Sequence, residues 1–366
     1  VNLPSKSYII PEPLGTVLVI SAWNYPYLIS LIPAISAIAA GNTVVIKPSE
    51  ITINCSNIIS KLINTNFPEN YFTVIEGGVD TTTQLLKEKW DKIFFTGSST
   101  VGKIIYKAAA DKLTPVTLEL GGKSPTFALN DCNINMTAKR IVWAKFFNAG
   151  QTCIAPDYIL VEKKIEQKLL EALKQEIKNN YSNTDTINEN YVQIINERHF
   201  QRLINLISTD KIYSGGEYSI EERIIHPTVL HNINFEDDIM KDEIFGPILP
   251  IISFDNLDEA IANIKKKDKP LSLYIYSNDK KRIKKLLNEI SFGGGAINDS
   301  LVHLLNPNLP FGGVGASGIG SYHSKAGFDT FTHYKSVLHK SFLFEPSVKY
   351  TPYSTLKRKI LKFILE

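Results

Sequence analysis

The sequence predicts an α/β protein built as two doubly wound domains, with further strands at its two ends outside both. Three observations carry this. Short apolar runs without polar alternation recur along the chain, as in strands buried on both faces of a parallel sheet. Segments of helical period alternate with them. At 366 residues the chain exceeds what one compact core holds.

The elements follow in order. Thr16-Val17-Leu18-Val19-Ile20-Ser21 reads as a buried strand. Pro33 to Ala40 reads as an Ala-rich helix stopped at Gly41-Asn42. Thr43 to Pro48 is a second strand, broken by the proline, and Asn57 to Ile63 has helical period. Tyr71 to Ile75 is a third strand, closed by Gly77-Gly78, and Lys92 to Thr96 a fourth, with a helix from Val101 to Ala110. Val116-Thr117-Leu118 opens through Glu119 into Gly121-Gly122. In such sheets ligands sit beyond the carboxyl ends of the strands, where Asn24, Lys47 and Gly97 fall.

The second half repeats the alternation. Asp157 to Val161, Leu249 to Phe254, Ser272 to Tyr276 and Ala296 to Asn298 read as strands. Ile165 to Ile177 and Lys280 to Glu289 read as helices, the lysines of Ile264 to Lys269 as a solvated face, and Ser182 to Asn190 as a polar loop. Ser5 to Ile10 and Tyr334 to His339 are strands outside both cores. Leu356 to Leu365 is a basic, apolar tail helix.

Composition narrows the classes. Hydrophobic residues at 43% and charged residues at 21% are ordinary for a globular enzyme, and a net charge of +3 indicates no nucleic-acid partner. Three cysteines without paired spacing read as free thiols in a reducing, cytoplasmic setting. No apolar run reaches the roughly 18 residues of a spanning helix. The tail's bland reading is a helix packed on the protein or on a partner subunit; membrane association is open but not favoured. His199, His226, His231, His303, His323, His333 and His339 show no ligand spacing with the cysteines, so no metal is expected.

Chemistry concentrates in Asn148-Ala149-Gly150-Gln151-Thr152-Cys153. A thiolate is a nucleophile, a nearby carboxylate can activate water, and a side-chain amide can hold an oxyanion. Cys153, Glu119 and Asn24 supply the three; Cys55 and Cys132 read as core fillers. Gly97-Ser98-Ser99-Thr100-Val101-Gly102 places a glycine after a strand and before a helix N-terminus, a phosphate-binding arrangement.

Six segments in order resemble an aldehyde dehydrogenase: Ala22-Trp23-Asn24-Tyr25-Pro26, Lys47-Pro48-Ser49-Glu50, Phe95-Thr96-Gly97-Ser98 running to Gly102, Glu119-Leu120-Gly121-Gly122-Lys123, the Cys153 hexapeptide, and Glu243-Ile244-Phe245-Gly246-Pro247. Pro310-Phe311-Gly312-Gly313 through Tyr322-His323 to Phe331 looks like the class 3 branch, and Ala22 departs from that family's usual proline. The resemblance implies an NAD(P)-binding domain over 14–118 and a catalytic thiol domain over 119–331. It further implies bridging strands over 1–13 and 332–345, used in a homodimer, and a tail over 346–366. Relatives usually carry a further segment before the position of Val1, so an N-terminal part is expected to be missing.

The resemblance also implies roles. Cys153 forms a thiohemiacetal and then a thioester with an aldehyde, Asn24 holds the oxyanion, and Glu119, partly buried, activates the hydrolytic water. NAD, with NADP as the alternative, is held by Ile20, Ser21, Ala22, Trp23, Lys47, Glu50, Phe95 to Gly102, Leu120, Gly121, Glu243 and Phe245. Within that turn the contacts are Phe95, Thr96, Gly97, Ser98, Ser99, Thr100, Val101 and Gly102. A carboxylate at the ribose 2′-OH, here Glu50, favours NAD. Tyr25 and Phe311 line the substrate entrance. A CoA- or phosphate-dependent, aldehyde-forming reductase and a non-catalytic fold relative are the rival readings; the former needs no base, and Glu119 weighs against it.

Overall fold

The computed structural model describes residues 5–181 and 191–365; the polar stretch 182–190 lies outside them. The chain opens with strand β1 (Ser5–Pro13) and then builds a sheet from β2 (Thr16–Ile20), β3 (Thr43–Lys47), β4 (Phe72–Val74), β5 (Lys92–Thr96) and β6 (Val116–Glu119). Between them lie helices α1 (Pro26–Ala39), α2 (Ile53–Asn66), α3 (Val79–Leu85) and α4 (Ser99–Ala110). A second sheet follows, from β7 (Pro125–Ala128), β8 (Tyr158–Glu162), β9 (Ile212–Ser214), β12 (Thr228–Leu230), β13 (Ile248–Phe254), β14 (Ser272–Tyr276) and β15 (Gly294–Ile297). A small hairpin, β10 (Tyr218–Ser219) and β11 (Ile224–Ile225), projects beside it. Its helices are α5 (Ile134–Phe146), α6 (Glu166–Tyr181), α7 (Glu197–Ile204), α8 (Leu257–Lys265) and α9 (Lys280–Glu289). The chain closes with β16 (Gly318–Ile319), α10 (Ser324–Thr330), β17 (Thr332–Lys340) and the tail helix α11 (Thr355–Leu365).

The first sheet has the order β16-β6-β5-β2-β3-β4, the second β15-β14-β7-β8-β13-β12-β9. Both are parallel except at one edge each, where β16 and β9 run antiparallel. The expected doubly wound α/β architecture is what forms. The strands read as continuous apolar runs are buried on both faces: Val17, Leu18, Val19, Phe94, Ile159 and Leu160 are inaccessible.

Several boundaries differ from the sequence reading. The first helix begins at Pro26, not Pro33. Proline at the first helical position suits the fixed φ of its ring, and Pro33 is tolerated inside the same helix, buried against the sheet. Asn42 ends this region: its side-chain N–H groups go to Ala37 O and Phe331 O, both at 2.9 Å. The helices expected over 57–63 and 165–177 extend to Ile53–Asn66 and Glu166–Tyr181. The lysines after Ile264 end α8, a full helix with an Asn256 cap. The closing chain also returns to the first sheet: β16 pairs with β6, Gly318 opposite Glu119. Leu301, Phe311, Tyr322 and Phe331 share one core with Val17, Val19 and Val44.

β1 and β17 pair antiparallel along their whole length, from Ser5 opposite Lys340 to Pro13 opposite Thr332. This ribbon stands apart from both sheets and exposes Tyr8, Ile9, Ile10, Tyr334 and Leu338. The tail helix has no buried residue within the single chain, so of the two surfaces expected to receive it, the body of the protein and a partner subunit, the first does not bury it. No described helix is long and apolar enough to cross a membrane.

Candidate active site

The loop carrying Cys153 is held in an unusual shape. After α5, Asn148, Ala149 and Gly150 take positive φ angles of 54°, 50° and 70° in succession. Two of these are not glycine, and such backbone persists only where the surroundings over-determine it. They do so here. Gln151, buried, donates from Nε2 to Asn148 O and Gln193 O, each at 3.2 Å, and accepts the Ile195 N–H at 3.0 Å. Asn148 Nδ2 donates to Asn24 O at 3.2 Å. At Gly150 a side chain is barred, because a Cβ would overlap the Gly246 carbonyl oxygen.

Asn24, on the turn between β2 and α1, reaches this loop. Its Nδ2 donates to Gln151 O at 3.1 Å, and the next residue, Tyr25, shares a 2.6 Å hydroxyl–hydroxyl bond with Thr152. Tyr25 also stacks on Phe147, with centroids 6.4 Å apart. Asn24, Tyr25, Tyr27, Phe147 and Tyr191 line a pocket of about 470 Å³ on this side. Phe311 lies elsewhere, in the core against which Cys153 packs, stacked on His323 at 5.4 Å.

Two carboxylates act on the thiol. Burial, then the charges of Glu243 and Glu119, push the Cys153 thiol far above its ordinary range. Glu119, the last residue of β6, is fully rather than partly buried, at 2% exposure. Neither of its oxygens has a protein hydrogen-bond partner among the described residues. Desolvation therefore raises its carboxyl well above the usual range. Glu243 lies against Gly121, whose missing Cβ makes room for the carboxylate, and accepts the Gly122 N–H. Burial and the neighbouring Asp157 push Glu243 up to about 8, against the opposing pull of Lys123 and Lys145.

Some residues of this centre carried no signal in the sequence. Tyr274 and Tyr322 are buried within electrostatic reach of Cys153, and Tyr274 donates to Ile154 O at 2.7 Å. Lys145, on the last turn of α5, is wholly buried near Asp157, Lys123 and Glu243, and burial draws its ammonium down to about 8. Arg202 and His199 reach the region from α7. Each is recognisable only from contacts distant in sequence.

The cofactor candidates gather at the carboxyl edge of the first sheet. Ile20 ends β2, and the Ser21 N–H donates to Lys47 O at 3.2 Å while its hydroxyl bonds Ser30 at 2.6 Å. Ala22 and Trp23 follow; Trp23 meets the Phe245 ring edge-on at 5.4 Å. Lys47 is buried and pairs with Glu50 at 2.8 Å, leaving Glu50 facing solvent. Phe95 and Thr96 end β5, and the Gly97 N–H donates to Glu119 O at 3.0 Å. Ser98 caps α4, accepting the Val101 N–H at 3.4 Å. Ser99 and Thr100 form the first turn, Val101 is exposed, and Gly102 lies beneath Leu120. The geometry thus brings together a buried cation, a capped helix N-terminus and the Glu243–Phe245 turn along one edge.

The profile of the Aldehyde dehydrogenase family matches residues 2–337. The chain is 51% identical over 352 residues to the 4,4'-diaponeurosporen-aldehyde dehydrogenase of Staphylococcus aureus, covering 96% of this chain and 77% of that protein. It is 49% identical over 342 residues to the mouse dimeric NADP-preferring aldehyde dehydrogenase, covering 93% and 76%. Among solved structures, the substrate-bound state of Staphylococcus aureus AldH superposes with a TM-score of 0.96 at 49% identity, over 100% of this chain and 80% of that one.

Proposed function

The chain belongs to the aldehyde dehydrogenase family, and from that premise we propose that it oxidises its aldehyde to the acid through a covalent intermediate on Cys153. Aldehyde oxidation with NAD(P) is the family's activity and that of its close relatives. The observation that carries the route is the convergence of Cys153 with Asn24 on one side and the Glu119 and Glu243 carboxylates on the other.

The residues present fit a dinucleotide. Lys47 and Glu50 suit ribose hydroxyls, the N-terminus of α4 suits a pyrophosphate, and the buried Thr96 hydroxyl has no protein partner among the described residues. A dinucleotide held there would supply an acceptor for the hydride that the reacting carbon must lose.

The chain's own groups do the rest. The Cys153 thiol passes its proton to a neighbouring carboxylate, Glu119 or Glu243, and from there to solvent, so that Glu119 is ionised again before hydrolysis. Cys153 Sγ then attacks the aldehyde carbon, and the Asn24 amide with the Cys153 N–H holds the oxyanion. An amide carries two N–H groups; one is bound to Gln151 O, which aims the other. After oxidation a thioester remains on Cys153. Glu119 deprotonates the water that cleaves it, returning the free thiol and releasing the acid.

We extend the proposal to a homodimer assembled through the β1–β17 ribbon, supported by its exposed Ile9 and Leu338. A reducing, cytoplasmic setting is supported by three unpaired cysteines. The deciding experiment follows NADH formation with NAD and a medium-chain aldehyde, without coenzyme A. Steady turnover that Cys153→Ala abolishes supports the hydrolytic route. Turnover that requires coenzyme A replaces it with acyl transfer.

A further inference from the structure

The turn that carries Glu243 and Phe245 does not hold its shape by itself. Phe245 sits at φ 49°, a left-handed conformation that a bulky aromatic residue avoids. The turn is fixed from two sides. Asp157 Oδ1 accepts the Ile244 N–H at 2.9 Å. From α7, the Arg202 guanidinium donates to Ile244 O at 2.6 Å and to Glu243 O at 3.4 Å.

The same helix makes two further contacts. Leu203 packs so closely on Gly246 that a Cβ there would overlap its methyl groups. His199 meets the Trp23 ring at 5.6 Å, and Trp23 in turn meets Phe245. Gly246 is also the residue whose carbonyl abuts Gly150 of the nucleophile loop. One short helix therefore fixes the turn from behind and braces the aromatic group in front of it.

We propose that Arg202 is a positioning residue for the cofactor. Through the Glu243 and Ile244 carbonyls it keeps Phe245 left-handed, so that the Glu243 carboxylate and the Phe245 ring are preformed for the nicotinamide ribose and ring. The inference rests on the cofactor assignment above. A planar guanidinium suits the task, because two carbonyls of consecutive residues are spanned by its fixed fork. It stays charged: burial lowers it somewhat, while the Glu243, Asp157 and Asp242 carboxylates act to hold its proton. Without it, the two part-buried carbonyls lose this donor, with water as the replacement, and Phe245 is free to relax to negative φ.

The test compares wild type, Arg202→Met and Arg202→Lys. NAD binding is measured by calorimetry without aldehyde, thermal unfolding is recorded in parallel, and the KM values for NAD and for aldehyde follow. The expected result for Arg202→Met is a Kd and KM for NAD raised tenfold or more, with the aldehyde KM and the melting temperature near wild type. Arg202→Lys, with one donor reaching one carbonyl, should recover part of the affinity. If Arg202→Met does not fold, the intermediate Kd of Arg202→Lys carries the comparison. Wild-type Kd values in both variants overturn the proposal, as does a loss of affinity that only tracks a lower melting temperature. Absence of NAD binding by wild type instead removes the cofactor assignment, and this inference with it.

Discussion

The Asn24 amide nitrogen lies 3.1 Å from the Gln151 carbonyl, across 127 residues of chain. With the Tyr25–Thr152 bond beside it, this ties the turn after β2 to the residues just before Cys153. The side chain proposed to hold the oxyanion is thus tied to the loop that presents the proposed nucleophile.

Asn24→Ala should lower kcat by about 10²–10³-fold, the usual cost of losing one oxyanion donor. Its effect on stability should stay near the roughly 1 kcal/mol of a single hydrogen bond. Steady-state kinetics beside a denaturant titration separates the two. A variant with undiminished kcat would remove Asn24 from the chemistry.

Glu119→Gln should split the two halves of the reaction. The first turnover releases NADH as a burst, and the steady rate then falls by about 10²–10⁴-fold, the range of a positioned general base. Stopped-flow absorbance reads both phases. Undiminished steady turnover would assign the base elsewhere, with Glu243 the next candidate.

Glu243 makes stability fall as pH rises. Its folded carboxyl is raised from 4.5 to about 8. Between those values the unfolded chain has released the proton and the native state retains it, so the native state binds more protons and loses stability with increasing pH. The contribution is whole below the unfolded value and is gone above the folded one. Urea midpoints of wild type should therefore decline more steeply between about pH 5 and 8 than those of Glu243→Gln. Parallel curves would refute the shift.

The β1–β17 ribbon should carry the dimer. Ile9 and Leu338 lie on one face of the ladder at 64% and 55% exposure, beside the exposed Tyr334. Burying such a side chain stabilises by about 1.5–3 kcal/mol. Ile9→Lys with Leu338→Lys should then weaken association roughly hundredfold or more. Sedimentation velocity across a dilution series measures this, and an unchanged sedimentation coefficient would place the interface elsewhere.

Much of this molecule was legible in its sequence for a simple reason. A strand buried on both faces is a continuous apolar run, so Thr16–Ile20, Lys92–Thr96 and Ser272–Tyr276 stand out. Strands of two or three residues, such as β10 to β12, are too short to show a period. α5 escaped because it is buried around much of its circumference and counts Lys145 among its buried residues, which blurs the stripe that marks a surface helix. At the site, Cys153 and Glu119 stood out beside glycines, and Asn24 by its place between a strand end and Pro26. Arg202 left no mark, since it works on main-chain carbonyls about forty residues downstream, and a carbonyl has no sequence identity. The full burial of Glu119 was hidden too: Gly318 of β16, which pairs with it, arrives almost 200 residues later.

That late arrival shapes how the protein is made. β1 is the first described element, yet its partner begins at Thr332. At about 5–20 residues per second, translation leaves β1 without its partner for tens of seconds. Both sheets can assemble in that interval, each from neighbouring βα units. The ribbon and the sixth strand of the first sheet cannot. The nascent chain therefore carries an unpaired strand, with Tyr8, Ile9 and Ile10, until residues 332–340 have been made.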